Sequence, residues 1–471
     1  MGTYVRLLVV VLVVVSGCQA PMAETGRTVQ PSETTRPTAI ATTDQLDERE
    51  ESHTRAERNT AVTATEPTRT TRTASQTATG VTTDTAPTTT AAEKTNEISV
   101  EGGTLSVDVD RIFADVRAVM DADVTPPERI TVIENESEFD GLLGTGGSVP
   151  RWYDLLGLKP GDGLNGTPYE RMENGATFNA GFIYVLPSPD GNRSSTEWVI
   201  AHEFGHYINL RLDRVSTLRS HLGRQTDHRY VLRAIREGAT VLTTDTYLTR
   251  YGNRSRLTAP LYDRLLAAVA PGEIARYGLS QYVFGYDYVA NRVDDPVALD
   301  RIFKNPPTTS EQVIHGYLPG AEPPARLTVT VAESERWRLG GTDRLGEAFV
   351  RYALENGVPP ERAAAAAAGW GNDRLHYLRP AGGGNSSYAW VFRWDDTTNA
   401  TEFERTLHAY LDERGNRREG RWTVANVTAG IRSPTKQTTV LLMGTQRVVA
   451  KTAITAPREG AIRIDLPGDS V

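Results

Sequence analysis

Two histidines and a glutamate stand at a spacing that can do metal chemistry. They lie in the run Val199-Ile200-Ala201-His202-Glu203-Phe204-Gly205-His206-Tyr207-Ile208. On a helix, residues four apart leave the same face, so His202 and His206 can point their imidazoles at one ion. Glu203 follows the first ligand and reaches for water beside the ion, not for the ion. Two neutral nitrogens, an open coordination position and a carboxylate that accepts a proton are the parts of a hydrolytic zinc centre. Zn2+ is therefore the expected cofactor. The pattern arises by chance in roughly one chain of this length in a hundred, and its setting argues further against chance. Val199, Ile200, Phe204, Tyr207 and Ile208 make the flanks apolar, as a buried helix requires, and Gly205 lets another backbone approach. The competing interpretation is a core helix whose two histidines hydrogen-bond internally.

A two-histidine site needs a third protein ligand. Position 209 is Asn and position 212 is Leu, so the H-E-x-x-H-x-x-G-x-x-H variant is excluded. Asp227 to Arg250 has the pattern of a long helix, and Glu237 sits in an otherwise apolar part of it. A carboxylate there is costly unless it meets a cation or a donor. Gly238 and Ala239 beside it permit close helix packing. His221 and His228 compete for the role, but their polar surroundings indicate a connecting loop. Asp245 lies two turns beyond Glu237, where it either orients a ligating imidazole or caps or meets solvent. A hydrolytic centre also gains from a donor aimed at the oxygen that becomes negative in the transition state. Tyr282, another tyrosine of 282–288, or His315 could supply it; an aromatic core and a hydrogen-bonded histidine are the bland alternative. Thr309-Ser310-Glu311-Gln312 reads as a capping box that would fix His315 one turn into a short helix.

The chain resembles the gluzincins, zinc peptidases with His-Glu-x-x-His on one helix and a Glu on the next. His202, Glu203, His206 and Arg236-Glu237-Gly238-Ala239 carry the resemblance. It implies zinc held by His202, His206 and Glu237, Glu203 as general base, and a peptide or protein substrate. It also implies that the strand just before the metal helix, read at Gly181–Leu186, is the edge of a small sheet lining the cleft. Tyr282-Val283-Phe284-Gly285, Asn305 to His315 and Ala368-Gly369-Trp370-Gly371-Asn372-Asp373-Arg374 resemble segments of exported metallopeptidase-like proteins. Those proteins carry Gly-Asp-Arg after Trp-Gly, whereas Asn372 replaces the Gly here. A catalytically inactive surface protein that keeps a zincin fold, and a hydrolase of non-peptide bonds, are the other function classes these residues allow.

The elements that must position these residues are legible in outline. Ser194-Ser195-Thr196-Glu197 is a capping box opening the metal helix. Val109–Ala122 has helical spacing and Arg129–Glu134 is strand-like. After Arg326, a strand at 327–331 precedes helices at 343–355 and 360–368. A strand at 388–394, a helix at 401–414 and strands at 438–443 and 446–453 then close the chain. The expected fold is α+β: a zincin-like, mainly helical core with a small sheet over 97–325, and a C-terminal helical and α+β region over 326–471 packed on it. No phosphate loop, nucleotide fingerprint or Ser-His-Asp pattern is present.

Composition sets the compartment. The net charge of -8 argues against a nucleic-acid binder. Five lysines (Lys94, Lys159, Lys304, Lys436 and Lys451) against many arginines, acids and threonines resemble proteins of salt-loving archaea. The single cysteine, Cys18, follows an apolar run from Leu7 to Val15 and Val15-Ser16-Gly17. That reads as a signal peptide with a lipobox over 1–18. It predicts lipidation of Cys18 and anchoring to the outer face of the cell membrane, with cleavage at an ordinary signal peptide as the alternative. Residues 19–96 contain no Phe, Tyr or Trp and are rich in Thr. They bury too little apolar surface to fold and are expected to form a disordered stalk. Asn135, Asn165, Asn192, Asn253, Asn385, Asn399 and Asn426 begin glycosylation sequons. The protein is expected to act as a monomer.

Overall fold

Strand pairing begins with residues of weak β propensity, so position in the sheet has to come from packing. The computed structural model describes residues 97–143, 151–158, 161, 163, 174–178, 180–187 and 193–468. The leader, Cys18, the Thr-rich segment, Asn165 and Asn192 lie outside the described residues. Strands β1 (Ser99–Glu101), β2 (Arg129–Val132), β3 (Asn174–Thr177) and β4 (Ile183–Leu186) form one sheet in the order β1-β2-β4-β3. The first three strands of that order run parallel, and β3 runs antiparallel to β4. The strand read at 181–186 is present but interior, with β2 on one side and β3 on the other. The expectation that it forms the edge is corrected: the edges among the described strands are β1 and β3, and β3 is the one beside β4. Its sequence, Asn-Gly-Ala-Thr, has no β-branched or aromatic run to announce a strand.

Helix α1 (Val109–Val119) starts at Asp108, whose carboxylate accepts from Arg111 N, and buries Val109, Ile112, Phe113, Val116 and Val119. Phe113 meets Phe204 edge-on at 5.1 Å, docking α1 on α2 (Arg193–Arg211). Helix α3 (Thr226–Arg250) follows, then α4 (Ala259–Ala268), α5 (Ile274–Ala290) and the short α6 (Ser310–Ile314). Helices α3 and α5 touch backbone to backbone through two glycines. A Cβ on Gly285 would lie 2.0 Å from Ala234 O, and one on Gly238 would lie 2.1 Å from the Gly285 carbonyl carbon.

The C-terminal part is built on a seven-stranded sheet of order β6-β7-β8-β12-β11-β10-β9. Its strands are β6 (Trp337–Asp343), β7 (Trp370–Pro380), β8 (Ser387–Trp394), β9 (Asn416–Arg418), β10 (Arg421–Val424), β11 (Val427–Thr435) and β12 (Thr438–Gly444). Alternation along β8 feeds two cores. Trp390, Phe392 and Trp394 join α7 (Gly346–Leu354) and α8 (Thr397–Arg414) on one face. Ala389 and Val391 join a three-stranded sheet on the other. That sheet has the order β13-β14-β5, from Ala453–Arg458, Ala461–Asp465 and Thr328–Ala332. The strand expected over 446–453 is corrected. Gln446–Lys451 is a helix capped by Thr445, whose Oγ1 accepts from Val448 N, and its one and a half turns tuck Val448 and Val449 inside. The molecule is therefore mixed α+β.

No seam in the packing falls at 325/326. Trp152, Leu155, Leu156 and Leu158 belong to the same core as Phe349, Trp390 and Tyr410, and the described residues between 97 and 468 sort into one compact unit. Asp227, on α3, lies 3.1 Å from the Arg344 guanidinium, close enough to pair though not in line for a hydrogen bond. Thr226 donates to Asp343 through both N (2.9 Å) and Oγ1 (2.6 Å).

Candidate metal centre

Helix α2 is buried along most of its length, so its polar residues are held where water would ordinarily not follow. His202, Glu203 and Glu237 have no exposed surface, and His206 has 3%. The four-residue spacing brings His202 Nε2 and His206 Nε2 to 3.1 Å. Helix α3 crosses beneath and sets Glu237 Oε2 3.1 Å from His206 Nε2 and 3.5 Å from His202 Nε2. The crossing is this close because Gly205 faces Thr240: a Cβ there would lie 2.9 Å from the threonine methyl. Among the described residues, His202, His206 and Glu237 are the one group of three donors able to hold a metal ion.

The triad passes a quantitative fit test. Ligand atoms on one tetrahedral ion, at the bond lengths zinc makes to nitrogen and oxygen, stand about 3.3 Å apart. The three separations bracket that value. Protonation states also suit a cation. Burial, against the pull of Glu237, lowers His206 to about 4, so its imidazole is neutral at pH 7.

Thr240 fixes which nitrogen of His206 faces the site. Its hydroxyl donates to Arg236 O at 2.9 Å, so it can only accept from His206 Nδ1, 3.1 Å away. The proton is then on Nδ1 and the lone pair on Nε2, toward the triad. Sequence reading missed Thr240, although it is one turn beyond Glu237 on the same face. Asp245, considered for this orienting role, is placed elsewhere. It accepts from Thr258 N, Thr258 Oγ1 and Ala259 N at the start of α4. It is a cap.

Glu203 lies against the sheet edge. Thr177 of β3 donates to Glu203 Oε2 at 2.7 Å, and Gly175 is packed so tightly that a Cβ would lie 2.6 Å from Oε1. One carboxylate oxygen is thus anchored and the other meets no partner among the described residues. Burial raises Glu203 to about 7, with His202 and Thr177 acting against it. A carboxylate that gains and releases a proton near neutrality is what general-base chemistry needs.

The two donor candidates separate. Tyr282 is fully buried, its ring stacked on that of His202 at 6.3 Å and hydrogen-bonded to Arg233 through its hydroxyl. His315 is not brought to the triad. It caps the C-terminus of α6, and its Nε2 meets both oxygens of Glu347, at 2.9 and 3.0 Å. That expectation is corrected, since the carboxylate engages the nitrogen that would have donated. His221 ends the helix Arg214–Ser220, and His228 bonds Gly223 N and Arg344, so neither is a ligand.

The Trp-Gly-Asn-Asp motif has a structural role. Asp373 accepts from Leu345 N, Gly346 N, Trp370 Nε1 and Trp390 Nε1, and so caps α7 from a neighbouring strand. Of the described sequons, Asn135, Asn253, Asn385 and Asn426 are exposed. Asn399 is half-buried, and its Nδ2, the atom a glycan would occupy, donates to Ala368 O at 3.2 Å.

A family model matches residues 335–456. It describes a domain of unknown function, DUF8575. The match covers the seven-stranded sheet and leaves the triad outside it. No curated protein and no solved structure matches the chain.

Proposed function

We propose that the protein is a zinc-dependent hydrolase of peptide bonds, built on a zincin-like helical core and held at the outer cell surface. The observation that carries this reading is the convergence of His202, His206 and Glu237 on one point with Glu203 beside it. A zinc ion bound there would polarise a carbonyl and acidify water. The chain's own part is distinct. His202, His206 and Glu237 supply three ligands, which leaves a position for water or substrate. Glu203, fixed by Thr177, accepts the proton of the attacking water and returns it to the leaving amine. A purely structural zinc has no use for a buried carboxylate in that place. The leader and the Thr-rich segment support export and a lipid anchor, with the folded part held away from the membrane.

Full-length protein should bind about one zinc per chain and cleave members of a peptide library. Glu203→Gln should retain the zinc and lose cleavage by about 10²–10⁴-fold. Undiminished cleavage by that variant would overturn the assignment. Bound zinc with no cleavage by the wild type would favour an inactive surface protein with a zincin fold.

A further inference from the structure

A cavity lies beyond the metal ligands along α2. It measures about 430 Å³ and opens between the C-terminal turns of α2, the start of β2 and the turn that joins β3 to β4. Tyr207 and Arg211 of α2, Pro126, Pro127 and Glu128 before β2, and Phe182 before β4 line it. Its size falls within the ~300–1,000 Å³ of ordinary ligand pockets. Its walls are held in place. The Tyr207 hydroxyl donates to Thr125 O at 3.2 Å, which ties the segment carrying Pro126 and Pro127 to α2. Two consecutive prolines fix their own φ and resist collapse. Gly181 takes φ +84°, which glycine adopts freely, and sets the turn against Tyr207; an added Cβ would lie 3.2 Å from that ring. Phe182 leaves 46% of its surface exposed, and Arg129 stands over its ring at 6.0 Å.

The charged groups on the lining differ in what they already hold. Arg129 also meets Glu101 at 3.4 Å, so its charge is answered within the sheet. Arg211 and Glu128 bring opposite charges to the same cavity, and both stand near the Tyr207 hydroxyl. Among the described residues neither forms an ion pair, with the other or with a third group. Opposite charges held apart over an apolar wall complement a molecule with two charged ends and an apolar body. We propose that this cavity binds a short peptide with free termini and apolar side chains. Its carboxylate meets Arg211, its ammonium meets Glu128, and its side chains lie against Phe182, Pro126 and Pro127. A guanidinium takes a carboxylate through paired N–H donors, and the ring and prolines are withdrawn from water. None of these contacts needs a metal. On the hydrolase reading above, such molecules are what cleavage releases, but the binding itself does not depend on that reading.

The test titrates full-length Glu203→Gln protein, chosen so that no turnover intervenes, with the dipeptide Leu-Phe, its N-acetyl form and its C-terminal amide. Calorimetry reads each affinity with zinc present and after a chelator has removed it. Leu-Phe should bind equally in both states. Each blocked form should bind about 10-fold or more weakly, the loss of one charge-assisted contact. Added to that background, Arg211→Gln should erase the difference between Leu-Phe and its amide. Glu128→Gln should erase the difference between Leu-Phe and its N-acetyl form, and Phe182→Ala should weaken all three ligands. The three side chains are exposed, so these variants keep the fold. No binding of Leu-Phe, equal binding of the blocked forms, or binding that vanishes with the zinc would overturn the proposal. A protein that takes up no zinc yet binds Leu-Phe in this pattern would overturn the hydrolase reading and leave this one standing.

Discussion

Thr240 has one proton and two neighbours, and the way it shares them decides the chemistry of His206. Donating to Arg236 O leaves it an acceptor for Nδ1–H, which frees Nε2 for a cation. Thr240→Val keeps the shape and removes the acceptor. It should weaken zinc binding by about 10–100-fold, read by competition with a chelator, while thermal stability changes little. Unaltered affinity would mean that Thr240 does not set the tautomer. Glu311 gives a second residue-scale prediction. Burial first, then the carboxylates of Glu347, Asp395, Glu322 and Asp227, push it from 4.5 up to about 9. Between those values the native state keeps a proton that the unfolded chain has released, so stability falls as pH rises through that window. Glu311→Gln imitates the protonated form and should flatten the slope. Urea midpoints at pH 5, 7 and 9 in both proteins would show it, and parallel slopes would refute it.

At the scale of elements, glycines and borrowed caps do the positioning. The segment Tyr282-Val283-Phe284-Gly285 matters because Gly285 lets α5 touch Ala234 and Gly238 of α3, which brings Tyr282 onto His202 one turn away. Gly285→Ala forces backbone apart from a 2.0 Å contact. It should cost about 2–4 kcal/mol in urea melts and lower zinc affinity together with stability. A stable variant with normal zinc would show that the helices yield there without disturbing the site. Asp373 works similarly from a strand, satisfying two backbone N–H groups of α7 and two indoles. Removing it orphans all four donors, which gives the Trp-Gly-Asn-Asp run a structural role.

For the whole molecule, the junction between helical core and seven-stranded sheet is buried and charged. Asp227 and Arg344 have 0% and 8% side-chain exposure, and Tyr277 packs against both cores. Arg344→Met leaves Asp227 as an uncompensated buried charge, which costs about 3–5 kcal/mol. Calorimetry should show one cooperative peak for the folded part, moved to lower temperature in the variant but not split. Two separate peaks in the wild type would show that the halves fold independently.

Sequence by itself singled out the three donors that the fold brings together, because helical periodicity is local. Four-residue spacing put His202 and His206 on one face, and an isolated carboxylate in an apolar helix singled out Glu237. The helix from Thr226 to Arg250 was legible for the same reason. What sequence could not give was anything set by contacts distant along the chain. Asn174–Thr177 became the sheet edge under Glu203 by pairing with β4, not by its own propensity. Gln446–Lys451 took a helical turn despite its valines because Thr445 caps it and the core accepts Val448 and Val449. His315 was drawn to Glu347 by a helix thirty-two residues later. Tyr262 met the ring of Tyr282 only through the stacking of α4 on α5. Tertiary packing alone decided those partners, since a side chain's options depend on which distant donors and rings the fold leaves within reach.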